Sequence, residues 1–296
     1  MIKLVFIDSE GKFNDNTYLI DAFLFRLPHR MSIYVIENKE SRMLIDTGSS
    51  IATGIIIRKL KELNLLPIHK LFLSHSHWDH TQGYQRLKKR IGEFETYASV
   101  NAIENLKNPE KMNKVYDYEV DPIENVIPLK EGDIIDLNGL ELEVFDFLGH
   151  TQDSIALFDK KNENIFVGDS IINMQERETF LPPFMPPDFN ETELLKTFQK
   201  LRNLKNDLKS ISLDHFGVWK DDDFDLVIDK MEDIHVKTKK AIIGWYSENP
   251  DVGYVARKYH EFFIPNSTLH TKEGMINLEL PIFWVLEGLK MSGSLK

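Results

Sequence analysis

The chain has 296 residues and no cysteine, which excludes a disulfide framework, a thiolate metal site and a cysteine nucleophile. Its composition, 42% hydrophobic and 28% charged, is that of a globular protein with enough apolar sequence for a large core. The net charge of −11 argues against a nucleic-acid partner, which leaves a basic footprint, and no run approaches the roughly 20 apolar residues of a membrane span.

The N-terminal apolar run is too short for a secretion signal and acidic residues follow it at once, so a cytoplasmic protein with no membrane partner is expected. Leu4 to Ile7, Tyr18 to Leu24, Ile33 to Ile36 and Met43 to Ile45 read as strands. Ile51 to Leu63 has helical spacing, with Pro67 just beyond its end. Leu71 to Ser74 is a short strand, and Leu142 to Phe147, Ile155 to Phe158 and Ile165 to Val167 are three more. Two stretches echo one another: Ser32 to Ile36 with Met43 to Thr47, and Ser154 to Phe158 with Ile165 to Ser170. Each is a hairpin ending in an aspartate followed by a hydroxyl residue. Chance is one reading of the echo; two related sheet halves, each delivering an aspartate to a shared edge, is the other.

The last third is helical. Asn190 with Glu193 three places on is a capping box, and Leu194, Leu195, Phe198, Leu201 and Leu204 follow on one face. The acids Asp221 to Asp223 precede an amphipathic run from Phe224 to Trp245 and read as helix N-terminal charge rather than a metal site. Asn249-Pro250 starts a third helix, and Gly274 to Met291 a fourth that Pro281 kinks or splits.

Chemistry concentrates in Ser74-His75-Ser76-His77-Trp78-Asp79-His80-Thr81, where four potential metal ligands fall within six residues. A loop leaving a strand aims His75 and His77 one way by alternation, while the turn into a helix aims Asp79 and His80 another. Imidazole and carboxylate suit zinc, iron or manganese. Three more candidates leave strand-like runs: His150 after Phe147, Asp169 after Val167, and His215 after the run Ile211 to Asp214.

Asp46, the His75-x-His77-x-Asp79-His80 run, His150, Asp169 and His215 resemble, in order and spacing, the five motifs of the metallo-β-lactamase superfamily. The resemblance covers roughly residues 1–220. It implies an α+β fold, a four-layer αββα sandwich, with residues 1–220 as its core and residues 221–296 as a helical C-terminal extension packed on the same domain. It further implies a dinuclear centre of two divalent ions, zinc first, with iron or manganese as alternatives. His75, His77 and His150 would hold the first ion, Asp79, His80 and His215 the second, and Asp169 would bridge them. Asp46 would stand behind the ligands and fix a histidine tautomer, and Asp79 would also orient the nucleophile. A turn cap before Gly48 is the other reading of Asp46.

The absence of a leader, a Cys ligand, a flavodoxin domain or a basic arm leaves the glyoxalase II, lactonase and thioesterase-like branch. The implied activity is a metal-dependent hydrolase whose metal-bridging hydroxide attacks the carbonyl of a small ester, thioester or lactone. Alternatives are a mononuclear-iron persulfide dioxygenase-like oxidoreductase and a phosphodiesterase. The stiff apolar run Phe180 to Phe189, with four prolines, reads as one wall of the substrate pocket, completed by helices around Trp245, Tyr259 and Phe262. A core-anchoring crossover is the plainer reading. The expected partner is a small molecule with an apolar portion, and a homo-oligomer is left open. His29, His69, His235, His260 and His270 are expected at the surface or half-buried.

Overall fold

Tyr34 and Ile36 are buried in one apolar cluster while Ile33 and Val35 are buried in another, so the strand that carries them separates two cores. A computed structural model describes residues 6–176, 179–270 and 276–296 and shows what lies on either side. The first sheet runs in chain order: β1 (Gly11–Lys12), β2 (Thr17–Asp21), β3 (Ser32–Asn38), β4 (Ser41–Ile45), β5 (Lys70–Phe72), β6 (Glu95–Ser99) and β7 (Val126–Leu129). Pairing is antiparallel up to β4 and parallel from there. The parallel steps need crossovers, supplied by α1 (Thr53–Glu62), α2 (Trp78–Thr81), α3 (Tyr84–Ile91), α4 (Ile103–Lys107) and α5 (Glu110–Tyr116). Ile56, Leu60, Leu87 and Leu106 from these helices cover Ile33, Val35, Leu44 and Leu71 on the outer face of the sheet.

The second sheet contains β8 (Ile134–Asp136), β9 (Glu141–Asp146), β10 (Ile155–Asp159) and β11 (Asn164–Phe166). A separate hairpin, β12 (Asn173–Glu176) and β13 (Thr179–Leu181), follows, and then β14 (Ser210–Ser212) and β15 (Val218–Lys220) complete the sheet in the order β15-β14-β11-β10-β9-β8. Val144, Ile155, Leu157 and Phe166 face Tyr34, Ile36, Ile45 and Phe72 of the first sheet. Ala156, Phe158, Ile165 and Ile211 face outward onto α6 (Glu191–Leu204), α7 (Asp221–Glu248), α8 (Val252–Phe263) and α9 (Ile276–Met291). The layers are therefore α/β/β/α, the expected sandwich, and the helical C-terminal segment shares one core with the second sheet.

The echo between the two hairpins extends to the topology. Along β2-β3-β4-β5 the pairings are antiparallel, antiparallel, parallel, and along β9-β10-β11-β14 they are the same. The halves are stitched where these strands end: Ser32 N–H donates to the Asp214 carbonyl (2.6 Å) and Ile155 N–H to the Ser74 carbonyl (2.9 Å).

Some elements differ from expectation. The strand expected over Tyr18 to Leu24 stops at Asp21, whose carboxylate accepts from Phe23 N–H (2.9 Å) and His29 N–H (2.8 Å) and closes the chain into a loop. Within that loop Phe23, Phe25, Arg26 and His29 all have positive φ. Asn190 caps α6 by accepting from Glu193 N–H (3.3 Å), whereas α8 is capped by Asp251 rather than started at Asn249-Pro250. Pro281 lies inside α9, which stays one element over its described length. Leu4 and Gly274 lie outside the described residues. No helix among the described residues is long and apolar enough to cross a membrane.

Candidate metal centre

The candidate ligands converge from five strand ends or helix starts on one edge of the sandwich. β5 leads through Ser74 to His75 and His77, and the short α2 turns Asp79 and His80 inward. β9 leads to His150, β11 to Asp169 and β14 to His215. His75, His77 and His150 form one group whose ligand atoms lie within 4.8 Å of one another; Asp79, His80 and His215 form another, and Asp169 joins His75 and His80 in a third. His215 Nε2 is 3.1 Å from Asp169 and 3.3 Å from Asp79. The structure thus brings all seven residues together, and all but His215 are buried.

Each histidine has one ring nitrogen committed to an acceptor outside the cluster. His80 Nδ1–H donates to Asp46 (2.8 Å), His150 Nδ1–H to the Pro183 carbonyl (3.1 Å) and His215 Nδ1–H to the Arg30 carbonyl (2.8 Å). The Ser74 hydroxyl donates to Asp46 (2.6 Å), so its oxygen accepts from His75 Nδ1–H (3.0 Å). The Tyr116 hydroxyl donates to the Pro186 carbonyl (2.5 Å), so its oxygen accepts from His77 Nε2–H (3.2 Å). With every ring neutral, as ligation requires, five lone pairs would face inward. Two of them, on His77 Nδ1 and His150 Nε2, sit 3.0 Å apart. Two bare lone pairs at that distance repel unless a cation lies between them. His75 Nε2, His80 Nε2 and Asp169 Oδ1 are buried without a hydrogen-bond partner among the described residues. The residues present fit a pair of metal ions.

The electrostatics point the same way. Burial holds His75 well below its ordinary value, and lowers His77 to about 4 and His150 to about 3. These rings are neutral near pH 7 and free to ligate. Burial would also lower His80 and His215, but the carboxylates, Asp169 foremost, outweigh it and hold both rings well above the usual range. Burial likewise raises Asp79 and Asp169, and the facing histidines more than reverse it. Protons held by His80 and His215 would balance the same two carboxylates that a second cation would.

Several residues that matter were not singled out in the sequence. Ser74 is a hub, its Oγ lying within 3.4 Å of Asp46, His75, His80 and Asp214. Asp46 accepts from both Ser74 N–H (2.8 Å) and Ser74 Oγ–H while held at φ 60°. Asp214 lies behind His80, 3.4 Å from its Nδ1, and burial with the neighbouring Asp46 raises it well above the carboxylate range, leaving a neutral acid. An aspartate just past a strand end was the available signal for Asp214; Tyr116 carried none.

A cavity of about 210 Å³ opens onto the cluster. His77, Asp79, Asp169 and His215 form its polar end, and Leu24, Phe25 and Leu27 of the positive-φ loop form one side. The Phe180–Phe189 run divides. Leu181 and Met185 line the cavity, whereas Phe184 is fully buried against Phe189 and His235 in the core. The wall is completed by Leu280, Pro281 and Trp284 of α9, not by Trp245, Tyr259 or Phe262. The inner face of α8 is spent on the core, where Tyr259 is fully buried and donates to the Phe180 carbonyl (2.9 Å), and Phe262 is 70% exposed on the other face. His235, His260 and His270 are buried rather than superficial; His235 bonds Glu191 (2.9 Å), and His270 lines the cavity beside Arg30 (2.7 Å).

The sequence profile described as the metallo-beta-lactamase superfamily matches residues 28–212. An acyl-coenzyme A thioesterase, MBLAC2, from Homo sapiens is 24% identical over 178 residues, 53% of this chain and 64% of its own length. Hydroxyacylglutathione hydrolase 1 from Vibrio vulnificus (strain YJ016) is 28% identical over 141 residues, 48% of this chain and 47% of its own. The chain thus spans less than two thirds of the length of these curated relatives. Among solved structures, a metallo-beta-lactamase family protein from Thermus thermophilus superposes with a TM-score of 0.66 at 17% identity, covering 95% of each chain, which establishes the fold.

Proposed function

The chain belongs to the metallo-β-lactamase superfamily, and we propose that it is a dinuclear metal-dependent hydrolase of a small ester, thioester or lactone bearing an apolar group. The observation that supports it most is the pair of inward lone pairs on His77 and His150, 3.0 Å apart, beside a carboxylate shared with His80 and His215. His75, His77 and His150 would hold one ion, Asp79, His80 and His215 the other, with Asp169 reaching both. Bound there, two divalent ions, zinc foremost, supply Lewis-acid polarisation of a carbonyl and a water acidified toward neutrality.

The chain's own residues do the rest. Asp46, Ser74, Tyr116 and the Pro183 and Arg30 carbonyls each fix one ring tautomer, so five nitrogens are preset for ligation. Asp79 faces the cavity and can accept a proton from an attacking water or orient it. Leu181, Met185 and Trp284 exclude bulk solvent and seat the apolar part of the substrate. The likeness to a relative named as an acyl-coenzyme A thioesterase is the reason to try thioesters first.

The test is elemental analysis of purified protein combined with a panel of thioesters, lactones and phosphodiesters. About two transition-metal ions per chain and turnover of carbonyl substrates support the reading. One iron per chain with sulfur-dependent oxygen uptake would replace it with the dioxygenase alternative, and phosphodiester turnover alone would replace it with the third.

A further inference from the structure

The residues that line the cavity fall into exposed and buried groups. Phe25 and Leu280 at the rim are 42% and 37% exposed, whereas Trp284 and Tyr116 are 7% and 5%. The Trp284 ring is held among aromatic neighbours, two of which line the cavity with it: it meets Tyr116 edge-on at 5.3 Å and lies 6.4 Å from both Trp78 and Tyr118, which stack on each other at 3.8 Å. The helix that carries it is seated as closely as backbone allows. One turn on, a Cβ at Gly288 would fall 2.3 Å from the Phe184 carbonyl oxygen, so α9 lies directly against the segment that presents Met185. A ring braced by three aromatic neighbours on a helix in backbone contact is a fixed wall rather than a movable one.

The enclosed space can be judged by volume. A dry apolar cavity of about 150 Å³ accepts benzene. One of about 210 Å³, part of which is the polar end at His77, Asp79, Asp169 and His215, takes at most a single substituted ring or a chain of similar bulk, not a long chain folded within it.

We propose that Trp284 is the specificity-determining residue of this site. It ends the cavity that receives the apolar group of the substrate and limits that group to the bulk of one ring or a medium-length chain. This rests on the hydrolase reading above and adds to it the class of group attached to the carbonyl.

The test compares the metal-loaded protein with its Trp284→Ala and Trp284→Phe variants on a series of thioesters from butanoyl to dodecanoyl and phenylacetyl. In the unmodified protein kcat/KM should fall at least about tenfold from hexanoyl to dodecanoyl, as expected when added methylenes meet a closed pocket. Trp284→Ala should raise the dodecanoyl-to-hexanoyl ratio by about tenfold or more, with Trp284→Phe intermediate. If Trp284→Ala does not fold, the Phe variant decides, since it keeps a ring against Tyr116. A ratio that is the same in all three proteins overturns the proposal while leaving the hydrolase reading standing. Binding of benzyl alcohol and 1-decanol by calorimetry provides the independent arm. If no thioester is turned over, benzyl alcohol bound by the unmodified protein and decanol only by the Ala variant upholds the cavity limit and removes the hydrolase reading alone. Equal binding of both alcohols by both proteins overturns the limit.

Discussion

β2-β3-β4-β5 in the first sheet and β9-β10-β11-β14 in the second repeat the same pairings, yet the loops leaving them end in different places. After β4, Asp46 comes one residue past the strand and ends behind His80, accepting hydrogen bonds. After β11, Asp169 comes three residues past the strand, through Gly168 at positive φ, and ends in front of His80 with an unpartnered oxygen. Gly168 permits this because a Cβ there would already lie 3.0 Å from the Ser74 side chain. Two residues of loop therefore separate a carboxylate that orients a ligand from one placed to be a ligand. The halves also differ in density: β5 is followed by four candidates in six residues, while the second half scatters His150, Asp169 and His215 over three loops.

That contrast is broken most directly at His80, which the first half supplies and which belongs both to the group with Asp79 and His215 and to the group with His75 and Asp169. His80→Ala should take bound metal below about one ion per chain, whereas His215→Ala, at the half-buried edge, should leave about one ion in place. Elemental analysis of the two variants decides it. Equal losses would mean that the two halves contribute interchangeably.

Chelation comes next in size and has a defined pH signature. Loss of ligand-linked stability of about 4 kcal/mol, the value for free ion a thousandfold above Kd, corresponds to a fall in Tm of about 10 °C. In the chelated protein His80 and His215 are raised well above 6.5, so their contribution is complete below pH 6.5 and is lost as pH rises through their folded values. Bound ions exclude those protons, so the loaded protein does not share that loss. His77 and His150 are lowered, and they cost stability only below pH 6.5, outside this window. The Tm gap between loaded and chelated protein should therefore widen from pH 6.5 to 8.5. A gap that narrows over that range would contradict the protonation pattern.

Residues behind the ligands should matter less and similarly in both halves. Asp46→Ala removes the acceptor of His80 Nδ1–H and should weaken metal affinity by about 10–100-fold. Tyr116→Phe leaves the ring in place, removes the acceptor of His77 Nε2–H and should cost about tenfold, the lower end of the same range. Competition with a chromogenic chelator measures both, and nuclear magnetic resonance of the ring nitrogens reports whether His77 still carries its proton on Nε2.

The sequence made the ligands legible because metal chemistry restricts residue type and because strand ends are marked by turns. It marked the hairpin echo for the same reason. Ser74, Tyr116 and Asp214 were not legible as a group, since the contacts that tie Ser74 to Asp46 and Asp214, and Tyr116 to His77, span 28 to 140 residues. The apolar wall was half legible. Proline and apolar content place Leu181 and Met185 near the site, because the segment follows Asp169 closely. Helical periodicity gives the apolar faces of α7, α8 and α9 but not what those faces meet, so Trp245, Tyr259 and Phe262 were expected where Trp284 stands.

The smallest expected effect gives the sharpest view of the two halves, because it separates Asp46 from the acid that the second half places beside it. Both acids lie behind His80, Asp46 at 2.8 Å from Nδ1 and Asp214 at 3.4 Å. Burial, then the charge of Asp46, pushes Asp214 well above the carboxylate range, so near pH 7 it is a neutral acid able to donate a hydrogen bond. An amide has nearly the shape of a neutral carboxyl and also donates. Asp214→Asn should therefore change stability and metal affinity little, within about 0.5–1.5 kcal/mol, the net worth of an ordinary hydrogen bond. At Asp46, by contrast, Ser74 N–H donates to Oδ1 while Ser74 Oγ–H and His80 Nδ1–H both donate to Oδ2, so in Asp46→Asn both side-chain donors lose their acceptor or, if the amide turns, Ser74 N–H loses its own. It should cost more than the change at Asp214, by a margin visible in both Tm and zinc affinity. If Asp214→Asn is the more damaging of the two, Asp214 is the charged member of the pair, and the second half of the molecule, not the first, supplies the carboxylate that orients His80.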